Sequence, residues 1–396
     1  MIHVLAEWER DQPIVWWHFF IEPRLWQRFL QLLQHLPLYS GVTVSPEHEE
    51  GTFRLGVLPS LQESLFSMIG RALESPAGLS DREVGALMTL LQEWQRRWSS
   101  LKVRRFLVQT PTGTLVIGDR PLFMGVLNLT PDSFYDGGRY HSVDRAVKRA
   151  LALYEEGADI IDLGAQSTRP GSTEVPPDEE WKRLEPVLRA IRPVLPIPIS
   201  VDTYYARVAD LALQAGADII NDVTAGTYDH DMFRVARYHG VPMVLMHFYE
   251  RIRPMPRRPR YKHVSREIAT FLTRRLEAAV EAGIKIEQTI LDPGVGFGKK
   301  PEDNLELIHH LGLMRSLGRP ILFGPSRKSF MAGAHAGGPD ERLEGTLVAC
   351  AWAWRAGAHI FRVHDVWPVR KALAVWTAIH HRRYAEDMPW QRRGRP

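Results

Sequence analysis

Residues 123–138 read Phe-Met-Gly-Val-Leu-Asn-Leu-Thr-Pro-Asp-Ser-Phe-Tyr-Asp-Gly-Gly. An apolar run of strand length ends at the amide of Asn128, and a Thr-Pro-Asp turn and a Gly137-Gly138 hinge follow it. A buried strand that opens into a polar loop is how α/β enzymes place reactive side chains. The pattern then recurs. Strand candidates lie at residues 122–128, 160–164, 197–201, 219–223, 243–247, 289–292, 321–324 and 360–363, with helical patterns between them at, for example, 143–156, 181–192 and 263–282. Glycine closes several of these helices, in Gly157-Ala-Asp, Gly216-Ala-Asp, Gly240-Val-Pro and Gly357-Ala-His. Eight strands alternating with helices predict an α/β fold, a (β/α)8 TIM barrel, over an open doubly wound sheet. The run Gly294-Val-Gly-Phe-Gly298 follows the sixth strand and lacks the full dinucleotide fingerprint.

A chain of 396 residues has room for more than such a barrel, and its 44% hydrophobic content supports a large core. One cysteine, Cys350, excludes an intrachain disulfide framework and a thiolate metal cage. Glu7, Glu9 and Asp11 stand where a signal peptide would be basic, and no apolar run reaches ~18 residues, so a soluble, cytoplasmic protein without a membrane partner is expected. Residues 1–100 hold 12 Asp and Glu against 8 Arg, a formal −4, and since the whole chain is +4 the remainder carries +8. No nucleic-acid motif accompanies that excess, and anionic small substrates account for it without a nucleic-acid partner.

Residues 1–102 are expected to form a small α+β N-terminal domain ahead of the barrel. Leu25, Phe29, Leu32, Leu33 and Leu36 recur at helical spacing, as do Leu61, Leu65, Ile69 and Leu73. Ser80-Asp-Arg-Glu83 is a capping box that announces a third helix. Runs at 14–21 and 52–58 read as strands. Trp8, Trp16, Trp17, Trp26, Trp94 and Trp98 are expected in its core, the alternative being an aromatic surface for another subunit. Residues 103–382 form the barrel domain, which opens with a hairpin around Pro111–Gly113 expected to cover the barrel's base. Residues 383–396 are a basic tail. A chain starting near Lys102 is expected to fold by itself.

The carboxyl ends of barrel strands form the catalytic face. Reading them in order gives Asn128, Gln166, Asp202-Thr203, Asn221-Asp222, His247, Asp292, Ser326-Arg-Lys328 and Arg362-Val-His364-Asp365. Singly, Asp202 or Asp292 could cap a helix, Asn221 could serve a turn and Arg362 could pair with a carboxylate. Taken as a set, Asp202, Asn221 and Asp292 suit a flat heterocycle rich in N–H donors. Lys328, Arg362 and His364 lie after strands seven and eight, where barrels often bind phosphate. The substrate so described has a polar heterocycle and a phosphate or diphosphate.

Seven segments, in this order, resemble the signatures of the dihydropteroate synthase family. They are the opening stretch with Asn128 and Asp136, Ile-Asp-Leu-Gly-Ala-Gln-Ser-Thr-Arg169-Pro-Gly, Ser-Val-Asp202-Thr, Ile-Asn221-Asp-Val, Leu-Asp292-Pro-Gly-Val-Gly-Phe-Gly-Lys, Gly-Pro-Ser326-Arg-Lys328 and Arg362-Val-His364-Asp-Val. The resemblance covers about residues 105–382 and implies a TIM barrel that joins p-aminobenzoate to 6-hydroxymethyl-7,8-dihydropterin diphosphate. It implies that Asp202, Asn221, Asp292 and Lys328 hold the pterin, and that Arg362, His364 and Asn128 hold the diphosphate, with Asn128 also a ligand of Mg²⁺. Thr168 and Arg169, with Phe134 and Asp136, would close over the diphosphate and shape the aminobenzoate pocket with Ser326 and Lys328. Asp136, Arg169, Asp292 and Lys328 are the catalytic candidates. A homodimer through the last barrel helices, with Trp352, Trp354 and Trp376 on the shared face, is also implied. The chain departs from the family at Gln166, usually Glu, at Ala165, usually Gly, and in the five arginines of 251–260. Methyl transfer from a folate to a corrinoid, on the same barrel, and a silent pterin-binding scaffold are the competing readings.

Overall fold

The computed structural model describes residues 3–7, 14–36, 42–46, 52–74, 76, 78–129, 138–166, 174–248, 261–333 and 341–381. The chain divides into two compact units. The first comprises Met1–Arg104 together with His310–Gly318 and Arg355–Gly357.

In that first unit, strands β1 (His3–Glu7), β2 (Val15–Phe20), β3 (Val42–Pro46) and β4 (Thr52–Val57) pair antiparallel in the order β1-β2-β4-β3. Strand β2 turns Trp17 and Phe19 into the core. Helices Pro23–Gln34, Gln62–Glu74 and Asp81–Lys102 bring Trp26, Phe29, Leu65, Ile69, Trp94 and Trp98 against them. Trp94 lies edge-on to Phe19 at 5.1 Å and to Phe66 at 5.0 Å, the T-shaped geometry that aromatic quadrupoles favour. Core packing is therefore the role of Trp17, Trp26, Trp94 and Trp98. Trp16 is half-buried beneath Arg54, and Trp8 lies outside the described residues. The capping box is formed: the Glu83 amide donates to Ser80 Oγ and the Ser80 amide to Glu83 Oε2. The turn Leu311–Leu317, which the barrel rhythm alone would assign to the second unit, packs its buried Leu311, Leu313 and Met314 within this one.

The second unit is an eight-stranded parallel sheet of β7 (Leu122–Asn128), β8 (Ile160–Gly164), β9 (Ile199–Asp202), β10 (Ile219–Asp222), β11 (Met243–Met246), β12 (Thr289–Asp292), β13 (Leu322–Phe323) and β14 (Ile360–Val363). From β7 to β12 each strand pairs with its sequence neighbour, β13 pairs with β14, and β14 pairs with β7. A bridge between Leu291 and Ile321, with the Leu291 amide donating to Pro320 O at 2.9 Å, brings the two ends together into a nearly closed barrel. Helices alternate with the strands as expected, so the architecture is a (β/α)8 TIM barrel. These strands are buried on both faces and read as apolar runs for that reason.

The hairpin of β5 (Phe106–Thr110) and β6 (Gly113–Ile117) covers the base. Phe106, Val108, Leu115 and Ile117 form one cluster with Leu122, Met124, Ile160, Ile219, Val244, Ile290, Leu322 and Ile360, the innermost layer of the barrel floor. The Gly-Ala-Asp repeats are structural here. Asp159 accepts from Arg120 and the Phe123 amide, and Asp218 accepts from Arg192 and from the amides of Ile199 and of Thr112 in the hairpin.

Candidate functional site

The carboxyl ends of the strands carry a linked set of polar side chains. Asp162 sits inside β8 between apolar neighbours, with its side chain fully buried. Arg362, from β14, donates from Nε to Asp162 Oδ2 at 2.7 Å and from Nη2 to Asp202 Oδ2 at 2.7 Å. Asn221, from β10, donates its amide to both oxygens of Asp162 at 3.3 Å. One carboxylate thus joins three strand ends. Burial opposes the charge of Arg362, but Asp162 and Asp202 more than offset it and its pKa is raised. Burial also raises Asp202, to about 7; Arg362 pulls it back down, while Asp162, Asp222 and Asp292 push it up.

Asp292 ends β12 and accepts from the Gly294 amide at 2.7 Å. Burial raises its pKa, with Lys328 opposing. Lys328 reaches in from the loop after β13, where its Nζ donates to Val295 O and lies 4.0 Å from the centre of the Phe297 ring. Burial lowers it to about 7; Asp292 and Asp202 hold the proton on, and Arg362 drives it off. One of the glycines of 294–298, Gly296, makes room for this lysine. Gly296 has φ +80°, and a Cβ there would collide with Lys328 Cδ. Lys299 folds back on the same loop, donating to Gly294 O at 2.7 Å and Phe297 O at 3.2 Å.

Arg327 lies between Ser326 and Lys328 in the left-handed region at φ 56°, a conformation unfavourable for an arginine. It is held there by a two-pronged ion pair with Asp365, 2.8 Å through both Nε and Nη2, and by its amide donating to Thr346 Oγ1 at 3.0 Å. Ser326 Oγ lies 2.9 Å from His364 Nδ1 and accepts from the His364 amide at 3.2 Å. Asn128 ends β7. A side chain at Gly164 would meet Asn128 Oδ1 and Asp202 Oδ2, both at 3.7 Å, so two oxygens face one small gap.

Of the residues singled out in the sequence, Asp202, Asn221, Asp292, Lys328 and Arg362 meet in this set, and Asn128, Ser326 and His364 lie at the same strand ends. Phe134, Asp136, Thr168, Arg169 and the arginines of 251–260 lie outside the described residues. Asp222 is a turn residue: its carboxylate accepts from the Thr224 and Gly226 amides at 2.7 and 2.6 Å. The reading of Arg362 as a partner of carboxylates, left open in the sequence, holds in this structure. Asp162 was not among the strand-end residues read from the sequence, and Arg327 and Asp365, though within those segments, were given no role. A charged residue inside the apolar run Ile-Ile-Asp-Leu was the available signal for Asp162.

The profile of the pterin binding enzyme family matches residues 124–364, the span that carries all of these strand ends. The chain belongs to that family. It is 44% identical over 251 residues to the dihydropteroate synthase of Synechocystis, covering 63% of this chain and 86% of that one. It is 41% identical over 280 residues to the dihydropteroate synthase of Bacillus subtilis, covering 69% and 96%. Among solved structures, Xanthomonas albilineans dihydropteroate synthase with 4-aminobenzoic acid superposes with a TM-score of 0.63 at 41% identity, covering 67% of this chain and 95% of that one. The same enzyme in complex with 7,8-dihydropteroate gives a TM-score of 0.60 at 40% identity, covering 66% and 94%. The activity that follows is that of a dihydropteroate synthase, a transferase of folate biosynthesis that joins 6-hydroxymethyl-7,8-dihydropterin diphosphate to p-aminobenzoate and releases pyrophosphate. Residues 1–104 precede the span that the family profile matches.

Proposed function

We propose that Asp202, Asn221, Asp292 and Lys328 hold the dihydropterin ring of that reaction. The observation that carries this is the mutual influence of Asp202, Asp292, Lys328 and Arg362, from four different strand ends, with Asn221 joined to them through Asp162. Asp202 and Asp292 are pushed up because burial disfavours their charged forms, and Arg362 and the Gly294 amide occupy only part of their acceptor capacity. A ring bearing N–H and NH₂ groups supplies donors for the rest, while the Lys328 ammonium meets the ring's acceptors.

His364, Asn128 and Arg362 face the diphosphate in this reading. Because Nε and Nη2 of Arg362 are committed to Asp162 and Asp202, that residue acts first as the counter-charge of the pocket's carboxylates. Asn128 is the proposed Mg²⁺ ligand. The fit is reasonable: Mg²⁺ takes oxygen ligands and keeps several waters, so one amide oxygen beside the gap over Gly164, completed by diphosphate oxygens, is an adequate site. Among the described residues no group of three His, Cys, Asp or Glu side chains converges to cage a metal. When bound, the ion would stabilise charge on the departing pyrophosphate.

In the reaction, the bond between the exocyclic carbon and the diphosphate oxygen breaks and its electron pair leaves with pyrophosphate. The carbon, conjugated with the ring, becomes cationic, and the buried carboxylate of Asp292 stabilises it. The aniline nitrogen then forms the C–N bond and loses a proton. A weak nucleophile of this kind depends on orientation more than on a strong base. Phe134, Asp136, Thr168 and Arg169 keep the roles the resemblance gives them. Ser326, held by His364, helps shape the aminobenzoate pocket.

A homodimer is proposed through the last two helices, Leu343–Ala356 and Val366–His381, where Val348, Val375 and Ile379 are 70%, 61% and 73% exposed and Trp352 is 40% exposed. Trp354 does not join that face: it is buried at 4% and packs on Phe361 at 6.4 Å. Among the described residues no helix is long and apolar enough to cross a membrane, and we place the enzyme in a reducing, cytoplasmic setting. The test is purified full-length protein with both substrates and Mg²⁺. Stoichiometric pyrophosphate and 7,8-dihydropteroate are expected; pterin binding without pyrophosphate release would mark a silent scaffold instead.

A further inference from the structure

Gln166, where the chain departs from its family, sits at the centre of a second polar network. Its Nε2 donates to Glu180 Oε2 at 2.6 Å and to Val175 O at 3.2 Å, and its Oε1 accepts from the Tyr204 hydroxyl at 2.5 Å. The carbonyl of Val175 can only accept, so the amide nitrogen must face it and Glu180, and the orientation of the side chain is fixed. Glu180 is fully buried. Burial raises its pKa to about 7; Gln166, Thr203 and Arg183 pull it down, and the charge of Asp202 pushes it up. Around these, the Tyr205 hydroxyl donates to Glu174 at 2.7 Å and to Val175 O at 3.2 Å, and the Tyr228 hydroxyl donates to Glu174 at 2.7 Å.

We propose that Gln166 is a positioning residue for the pterin pocket: its amide locks the buried Glu180 against the Thr203-Tyr204 turn that immediately follows Asp202. A carboxylate at position 166 has no proton to give either Glu180 or Val175 O, so two carboxyls 2.6 Å apart must share one. The amide removes that requirement and makes the placement of Asp202 independent of a shared proton. The inference rests on Asp202 holding the pterin, and Asp202→Asn tests that role separately.

The test compares the parent enzyme with Gln166→Glu and with the exchange Gln166→Glu/Glu180→Gln, measuring the dissociation constant of 6-hydroxymethyl-7,8-dihydropterin diphosphate and the melting temperature across pH. For Gln166→Glu, both carboxyls ionise as pH rises, so the ratio of its dissociation constant to the parent's should grow about ten-fold or more between roughly pH 6.5 and 8.5, with a parallel fall in relative melting temperature. The exchange restores one amide and one carboxyl between positions 166 and 180, so its ratio should stay flat with pH even though Val175 O loses the donor from position 166. A Gln166→Glu ratio that stays flat across pH overturns the proposal. So does a pH-dependent melting temperature with unchanged affinity, since that marks a purely structural pair, and so does an exchange variant whose ratio still grows with pH.

Discussion

Arg362 donates to Asp162 at 2.7 Å, tying the last strand of the barrel to the second across its interior. Asp162 also accepts from Asn221, so its carboxylate orders the guanidinium and the amide proposed to face the substrate. Removing one partner of a buried ion pair leaves the other uncompensated, which costs about 3–5 kcal/mol. Arg362 keeps Asp202 as a partner, so Asp162→Ala should lower unfolding free energy toward the lower end of that range, about 3 kcal/mol, in urea denaturation, and Asp162→Asn, which keeps an acceptor oxygen for Arg362, should lower it less. A loss below about 1 kcal/mol for Asp162→Ala would remove this residue from the account.

Asp292→Asn and Lys328→Ala should each reduce kcat/KM by at least ~100-fold while circular dichroism and melting remain those of a folded barrel. Each removes a charge that the other partly compensates. Near-normal turnover in either variant contradicts the role assigned to it.

The pH dependence follows from opposite shifts. Lys328 is pulled down to about 7 and loses its charge as pH rises through that value; Asp202 is pushed up to about 7 and loses its charge as pH falls through it. Steady-state kcat/KM for the pterin substrate should therefore decline on both sides of neutrality. Arginine stays protonated across the accessible range. In Lys328→Arg the alkaline decline should move upward whatever happens to the absolute rate; a decline that stays in place assigns it to another group.

Stability carries a related signature with its own sign. Between its usual carboxylate range and about 7, folded Asp202 holds more protons than the unfolded chain, so its contribution falls as pH rises. Above about 7, folded Lys328 and Lys299 hold fewer, so theirs rises. Together they place a shallow minimum near neutrality in the unliganded protein. Melting temperatures across pH should show it, and Lys328→Met should flatten the alkaline side.

The first unit includes Leu311–Leu317 as well as the N-terminal residues. That bears on the expectation that a chain starting near Lys102 folds by itself. Deleting residues 1–102 would strip β1 and the helix Asp81–Lys102 from the buried Leu311, Leu313 and Met314. The shortened protein should melt lower and aggregate more readily than the full chain. Equal stability would show that these residues find other cover.

The barrel was legible in the sequence because buried parallel strands read as apolar runs, each ending in a polar residue. Bounds slipped where proline intervened. Pro198 cannot donate to a ladder, so β9 begins at Ile199 and not at Ile197, and the strand between Pro320 and Pro325 contracts to Leu322–Phe323. Strands β1 and β3 went unread because each is only five residues long and is defined by its pairing with β2 or β4. Within the site, reading strand ends found Asp202, Asn221, Asp292 and Arg362 but passed over Asp162, two residues before Gly164 and on the same face of β8. The ion pair that bends Arg327 into the left-handed region joins residues 38 positions apart, and no local pattern encodes it.

A crystal structure of the full chain with 6-hydroxymethyl-7,8-dihydropterin diphosphate tests the central claim most directly. The ring's N–H and NH₂ groups should lie within hydrogen-bonding distance of Asp202, Asn221 and Asp292, with Lys328 against its acceptors. A ring bound elsewhere, with those four side chains still tied only to one another and to Arg362, would contradict it.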